Sequence, residues 1–104
     1  MEKSEILDTS VAIDRHEGYI TTFTAIEYPP CLHRQFQIIS PETIDYVKAI
    51  HIANRLRSAG RPIGAIDILI AAMCINREAT LVTKDGDFET IKKEFPELQL
   101  KKGQ

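Results

Sequence analysis

No apolar run in the sequence approaches the roughly 20 residues needed to span a bilayer, so neither a membrane helix nor a membrane partner is expected. Cysteine is scarce: Cys31 and Cys74 stand far apart and form no metal-ligand pair. In a reducing compartment they read as core or free thiols. The opening Met1-Glu2-Lys3-Ser4-Glu5 is charged and is followed by only a short apolar stretch, unlike a signal peptide. A cytoplasmic location is the expectation. An excess of either charge is also missing, with 15 acidic against 13 basic residues and a net charge of −2. Such a balance exerts no long-range pull on a polyanion. A phosphodiester substrate would have to be attracted locally, by metal ions or a basic rim. Repeats and low-complexity linkers are absent.

What is present is an ordinary packed composition, 43% hydrophobic over 104 residues. That length fits one domain over residues 1–104. Glu5-Ile6-Leu7-Asp8 reads as a short strand ending at the polar triplet Asp8-Thr9-Ser10. Val11 to Asp14 begins a helix that Gly18 keeps short. Tyr19 to Phe23, β-branched and aromatic, reads as a second strand. Thr24 and Glu27 then have the spacing of a capping box, but Pro29-Pro30 makes a helix there awkward. A helix from near the prolines to about Phe36 is the alternative, followed by a weak strand at Gln37-Ile38-Ile39.

Ser40-Pro41-Glu42 reads as a helix start, and Ile44, Val47, Ile50 and the pair Asn54/Leu56 approximate one apolar stripe to Ala59, which Gly60 ends. A second long helix is expected from Ala65 to about Asn76. Thr80–Thr83 is the clearest strand. Asp85-Gly86-Asp87 turns into a short helix stopped by Pro96, a last strand lies near Leu98-Gln99-Leu100, and the tail Lys101–Gln104 reads as frayed. Strands and helices thus alternate throughout, which predicts an α/β fold with a parallel sheet covered on both faces. Ligands of such sheets bind beyond the carboxyl ends of the strands. Asp8 and Asp85 each follow a strand and should meet at that edge.

Each carboxylate has a plain structural explanation. Asp8 could cap a helix, Glu27 could complete a capping box, and Asp85 and Asp87 flank a turn glycine. Asp87 is expected to cap a helix starting at Phe88. Asp67 is harder to dismiss, because Ile66-Asp67-Ile68-Leu69-Ile70-Ala71-Ala72 otherwise reads as wholly buried. A buried unpaired carboxylate costs several kcal/mol or becomes neutral. Either a base such as Arg61 pairs with it, or it binds metal. Several carboxylates at one edge repel unless cations neutralise them. All-oxygen ligands suit Mg²⁺ or Mn²⁺, and two such ions about 4 Å apart suit in-line displacement at phosphorus. Thr83, two residues before Asp85, could orient it.

Ile6-Leu7-Asp8-Thr9-Ser10-Val11, Gly64-Ala65-Ile66-Asp67-Ile68-Leu69-Ile70-Ala71-Ala72 and Leu81-Val82-Thr83-Lys84-Asp85-Gly86-Asp87-Phe88 together resemble the three signatures of PIN-domain proteins, in particular their VapC-like toxin ribonucleases. The resemblance implies a three-layer α/β/α fold around a mainly parallel sheet of four to five short strands. It implies a Mg²⁺- or Mn²⁺-dependent endoribonuclease, hydrolysing RNA by a one- or two-metal mechanism. Asp8, Asp67 and Asp85 would be the principal ligands, Glu27 the second family acid, Thr83 the accompanying hydroxyl and Asp87 an additional acid. It further implies a homodimer and inhibition by a small antitoxin. The intervals from Asp8 to Glu27 and from Glu27 to Ser40 are shorter than the family's, so part of the helical layer should be reduced there. Tyr19, Phe23, Tyr28 and Leu32 would then be left uncovered.

Two rival functions share parts of this pattern. A receiver or haloacid-dehalogenase-like phosphatase also uses sheet-edge aspartates with a threonine and a lysine. The dehalogenase class needs a second aspartate where this chain has Ser10, and a receiver needs adjacent N-terminal acids. The other rival is a non-catalytic PIN-like module that binds RNA or protein.

Overall fold

The computed structural model describes residues 4–104; Met1–Lys3, part of the charged start, lie outside it. Five strands form one sheet in the order β3-β2-β1-β4-β5: β1 (Glu5–Leu7), β2 (Glu17–Thr21), β3 (Gln35–Ile39), β4 (Thr80–Thr83) and β5 (Gln99–Lys102). Every pairing is parallel. Starting from β1 at the centre, the chain builds outward through β2 and β3, then crosses to add β4 and β5 on the other side. The β1/β4 boundary is therefore the topological switch point, where a crevice opens at the carboxyl edge.

Two apolar cores flank the sheet. Ile6 and Leu81 face one, together with Ile52 and Leu56 of α3 (Thr43–Ser58), Ile68 and Ile70 of α4 (Ala65–Asn76), and Phe88 and Ile91 of α5 (Asp87–Glu94). Leu7, Ile20 and Val82 face the other, covered by Val11 and Ala12 of α1 (Thr9–Ala12) and by Cys31 of a 3-10 turn, Pro29–His33. The expected three layers are present. The second helical layer is thin because α1 has four residues and α2 (Thr22–Glu27) six. No helix among the described residues is long and apolar enough to cross a membrane.

Several boundaries differ from the sequence reading. Thr22 and Phe23 belong to α2 rather than to the second strand, because the Thr21 hydroxyl accepts from the Thr24 amide and starts the helix there. The region after the prolines is a 3-10 turn and then β3, not a helix to Phe36. Thr24 and Glu27 form no capping box, since Glu27 is the last residue of α2. α3 starts after Glu42 rather than at Ser40. Glu42 and Asp45 cap each other reciprocally, with the Glu42 amide donating to Asp45 Oδ2 at 2.8 Å. Its end is as expected: Gly60 takes φ +71°, Arg61 donates to the Leu56 carbonyl and Gly60 to that of Arg57, the left-handed helix stop that favours glycine.

The apolar stripe expected along α3 is buried only at Leu56. Ile44, Val47 and Ile50 are exposed, and the buried face carries Asp45, Ile52 and Leu56. The tail is not frayed either. Lys101 and Lys102 complete β5, and buried Gly103 donates to the Thr83 carbonyl at 2.9 Å. A methyl group on Gly103 would clash with Val11, so only glycine allows this close approach. Tyr19, Phe23 and Tyr28 pack against the cores, contrary to the expectation that they lie uncovered; Leu32 is exposed.

Candidate metal centre

Parallel strands deliver the acids to one edge. β1 ends at Leu7 and β4 at Thr83, paired in register through Leu7 and Val82. Asp8 extends that ladder, its amide donating to the Val82 carbonyl at 2.9 Å. α4 joins the amino end of β4 through a short connection, so it runs back along the sheet. Its first turn, with Asp67, therefore sits at the carboxyl edge. Asp85 and Asp87 follow β4 in the turn into α5.

Hydroxyl groups fix the acids. Asp8 is buried, and its Oδ2 accepts from Ser10 Oγ at 2.9 Å and from Thr83 Oγ1 at 2.8 Å. With its proton given to Asp8, Thr83 Oγ1 accepts from the Asp85 amide at 2.9 Å. Asp85 Oδ1 in turn accepts from the Asp87 amide at 2.9 Å. Asp87 therefore does not cap a helix from Phe88. It is the first residue of α5, and the side chain that meets its amide is Asp85. Glu27 is exposed at the end of α2, where Thr9 Oγ1 donates to its Oε1 at 2.7 Å and lies 3.0 Å from Thr24 Oγ1.

Carboxylate oxygens of Asp67, Asp85 and Asp87 lie within 4.8 Å of one another. Asp8 is outside this trio but contiguous with it through Thr83. Asp67 has no ion pair among the described residues, and Arg61 does not reach it. Burial, then the charges of Asp85, Asp8, Asp87 and Glu27, push its pKa up to about 6. The four other acids thus all act on Asp67. Hard oxygen donors alone, crowded until one resists ionisation, fit a divalent cation of the Mg²⁺ or Mn²⁺ type.

Sequence reading missed the parts played by Thr9 and Ser10. The signal was available, since two hydroxyls directly follow Asp8 and a buried carboxylate needs donors. A local role as a cap likewise does not account for the place of Asp87 beside Asp67 and Asp85.

The PIN domain family profile matches residues 25–94. No curated protein matches the sequence. Among solved structures, the chain is similar to VapBC from Salmonella typhimurium bound to DNA, with a TM-score of 0.77, 18% identity, and 97% of this chain and 98% of that one covered. VapBC2 from Rickettsia felis, bound to a promoter DNA fragment, gives 0.75 at 20% identity, covering 94% and 97%. VapBC-5 from Mycobacterium tuberculosis, a member of the VapBC toxin-antitoxin family, gives 0.69 at 17% identity, covering 99% of each. At these identities the likeness is one of fold.

Proposed function

The chain belongs to the PIN domain family, and we propose that it is a metal-dependent endoribonuclease acting as the toxin of a toxin–antitoxin pair. The observation that carries this reading is Asp67. It is a half-buried carboxylate in an otherwise apolar helix, with two further carboxylates within 4.8 Å and no cationic partner among the described residues. A structural role would have supplied a base, as Arg77 supplies one for the buried Asp45.

Asp67, Asp85 and Asp8 would hold Mg²⁺ or Mn²⁺, with Asp87 and Glu27 as further acids around them. When bound, the cation supplies Lewis acidity at phosphorus and an acidified water. The chain's own contribution is placement. Thr83 orients Asp8 by donating to it, and it fixes the turn that carries Asp85 by accepting from the Asp85 amide. Ser10 gives Asp8 its second donor. Thr9 holds Glu27 toward the same edge. Solved structures of similar fold are toxin-antitoxin complexes, which supports a small protein antitoxin as partner.

Cleavage of a labelled single-stranded RNA tests the reading. Mg²⁺ or Mn²⁺ should support cleavage, EDTA should abolish it, and Asp67→Asn should lose it while staying folded. Undiminished cleavage by that variant would rule the mechanism out.

A further inference from the structure

The acidic edge depends on two short segments staying in fixed relation, α1 after β1 and the turn after β4. Hydroxyl groups join them. Ser10 Oγ donates to Asp8 Oδ2 at 2.9 Å and accepts from the Lys84 amide at 3.1 Å. Thr83 Oγ1 donates to the same carboxylate oxygen at 2.8 Å and accepts from the Asp85 amide. A third element touches both segments. At the end of β5, the Gly103 amide donates to the Thr83 carbonyl at 2.9 Å, and the residue is buried against Val11 of α1.

We propose that Gly103 is a positioning residue for the acidic edge. Without a side chain, it lets the end of β5 hold Thr83 while Val11 stays packed against it, and so fixes Asp8 and Asp85 relative to each other. The assignment rests on the metal reading of those acids.

The backbone of Gly103 is not left-handed, so what the position demands is space. A Cβ there would clash with Val11 Cγ2, and would stand 3.3 Å from Lys84 Cγ and 3.5 Å from Val11 Cβ. Lys84 is an exposed, flexible side chain and can give way. Val11 cannot do so cheaply. It is fully buried, and a β-branched side chain in a helix has one strongly preferred rotamer. Restoring ordinary van der Waals distance therefore takes a shift of about 1 Å in α1 or in the end of β5. α1 has only four residues, so displacing Val11 carries Ser10 and Thr9 with it, and these hold Asp8 and Glu27. Displacing β5 instead pulls on Thr83 through the Gly103 amide. Either way the donors move against the acids, and a misplacement of about 1 Å can cost about 100-fold at a reacting centre.

A size exchange tests this. Gly103→Ala should weaken Mn²⁺ binding, read by titration calorimetry, by about 10-fold, the scale of losing a group that orients a metal ligand. Val11→Ala removes the clashing methyl and leaves Cβ at an ordinary 3.5 Å from the new one. Adding it to Gly103→Ala should therefore return the affinity to near the parent's. Val11→Ala alone should bind Mn²⁺ nearly as the parent does, although losing buried methyl groups lowers its melting temperature. A second readout needs no metal. The Lys84 and Asp85 amides, which donate to Ser10 and Thr83, should exchange with solvent faster in Gly103→Ala and regain protection in the double variant, as followed by NMR.

A purely structural glycine would lower the melting temperature of Gly103→Ala without moving either readout, and that result overturns the assignment. So does a double variant no better than Gly103→Ala, or a Gly103→Ala chain that does not fold, since the glycine would then serve folding alone. The two readings fail separately. A parent that binds no Mn²⁺ removes the metal, while faster exchange at those amides in Gly103→Ala, repaired in the double variant, keeps the positioning of the acids. Mn²⁺ binding by the parent with neither readout changed in Gly103→Ala does the reverse.

Discussion

At the scale of single residues, Thr83 concentrates the site's organisation in one hydroxyl. It donates to Asp8 and accepts from the Asp85 amide, so its proton has one direction. Thr83→Val keeps the shape and deletes both bonds. Losing a buried hydroxyl that serves two groups should cost about 1–2 kcal/mol in urea denaturation. Removing a group that orients a metal ligand should reduce Mn²⁺ affinity, read by titration calorimetry, about 10–100-fold. A variant that binds Mn²⁺ as well as the parent would show that Asp8 needs no orientation. Asp67 makes a second prediction. Its folded pKa of about 6 lies above the roughly 3.9 of an unfolded aspartate. In metal-free protein the folded state therefore holds more protons than the unfolded state between those values. Stability should fall as pH rises through that window, and the loss should be complete above it. Allowing for solvent screening of a half-buried group, the loss is about 1 kcal/mol. Asp67→Asn should abolish this slope and be more stable than the parent at pH 8 without metal. A parent whose melting temperature rises from pH 4 to 6 more steeply than the variant's would contradict it.

At the scale of elements, the orientation of α3 is set by a polar contact rather than by its apolar stripe. Asp45, fully buried, accepts from Arg77 Nη1 at 2.9 Å and Nη2 at 3.0 Å, and from Asn76 Nδ2 at 2.9 Å. Burial opposes its ionisation, but Arg77, the Glu42 amide and Asn76 outweigh it and hold the pKa below the usual carboxylate range. This pair clamps the start of α3 to the end of α4. Arg77→Leu, which strands a buried charge, should destabilise by about 3 kcal/mol. Adding Asp45→Asn should recover part of that loss in a double-mutant cycle. Simple additivity of the two substitutions would mean the clamp contributes nothing. The depressed pKa implies that the clamp's contribution is present above ordinary carboxylate pKa values and is lost only in stronger acid.

The same clamp explains what could and could not be read from the sequence. Strands and helices were visible because β4, α4 and the turn between Asp85 and Asp87 carry strong local signals. Their order alone gave the parallel sheet and its acidic edge. The register of α3 was not visible, because its apolar stripe pointed one way and a buried ion pair between residues 45 and 77 decided the other. β5 was cut short in the reading because Lys101 and Lys102 look like a solvated tail. Their place in the sheet depends on Gly103 fitting against Val11, a contact no local pattern reports.

At the scale of the whole molecule, the rotation of α3 leaves an apolar face toward solvent. Ile50 is 70% exposed, Val47 62%, Ile44 59% and Tyr46 51%. Ile66 at the start of α4 continues it, and a groove of about 430 Å³ runs between the two helices past Ala49, Ala53 and Leu69. Scattered exposed apolar residues are ordinary, but a contiguous set on adjacent helices marks an interface. The sequence reading looked for that surface near Tyr19, Phe23, Tyr28 and Leu32; the cores cover the three aromatics, and Leu32 is exposed. We expect two copies to pair through α3 and α4 about a twofold axis, the commonest symmetry. Such a pairing would account for the three large aliphatic residues that α3 turns toward water. Light scattering on purified protein should give twice the chain mass of 11.8 kDa. Val47→Asp with Ile50→Asp should give a monomer, since two like charges would meet across the axis in a desolvated interface. Both positions are exposed in the monomer, so the fold should survive, as judged by an unchanged circular dichroism spectrum. A parent that is monomeric at high concentration with no co-purifying partner would sink the assignment. So would a double variant that remains dimeric, because the contact would then lie elsewhere on the surface.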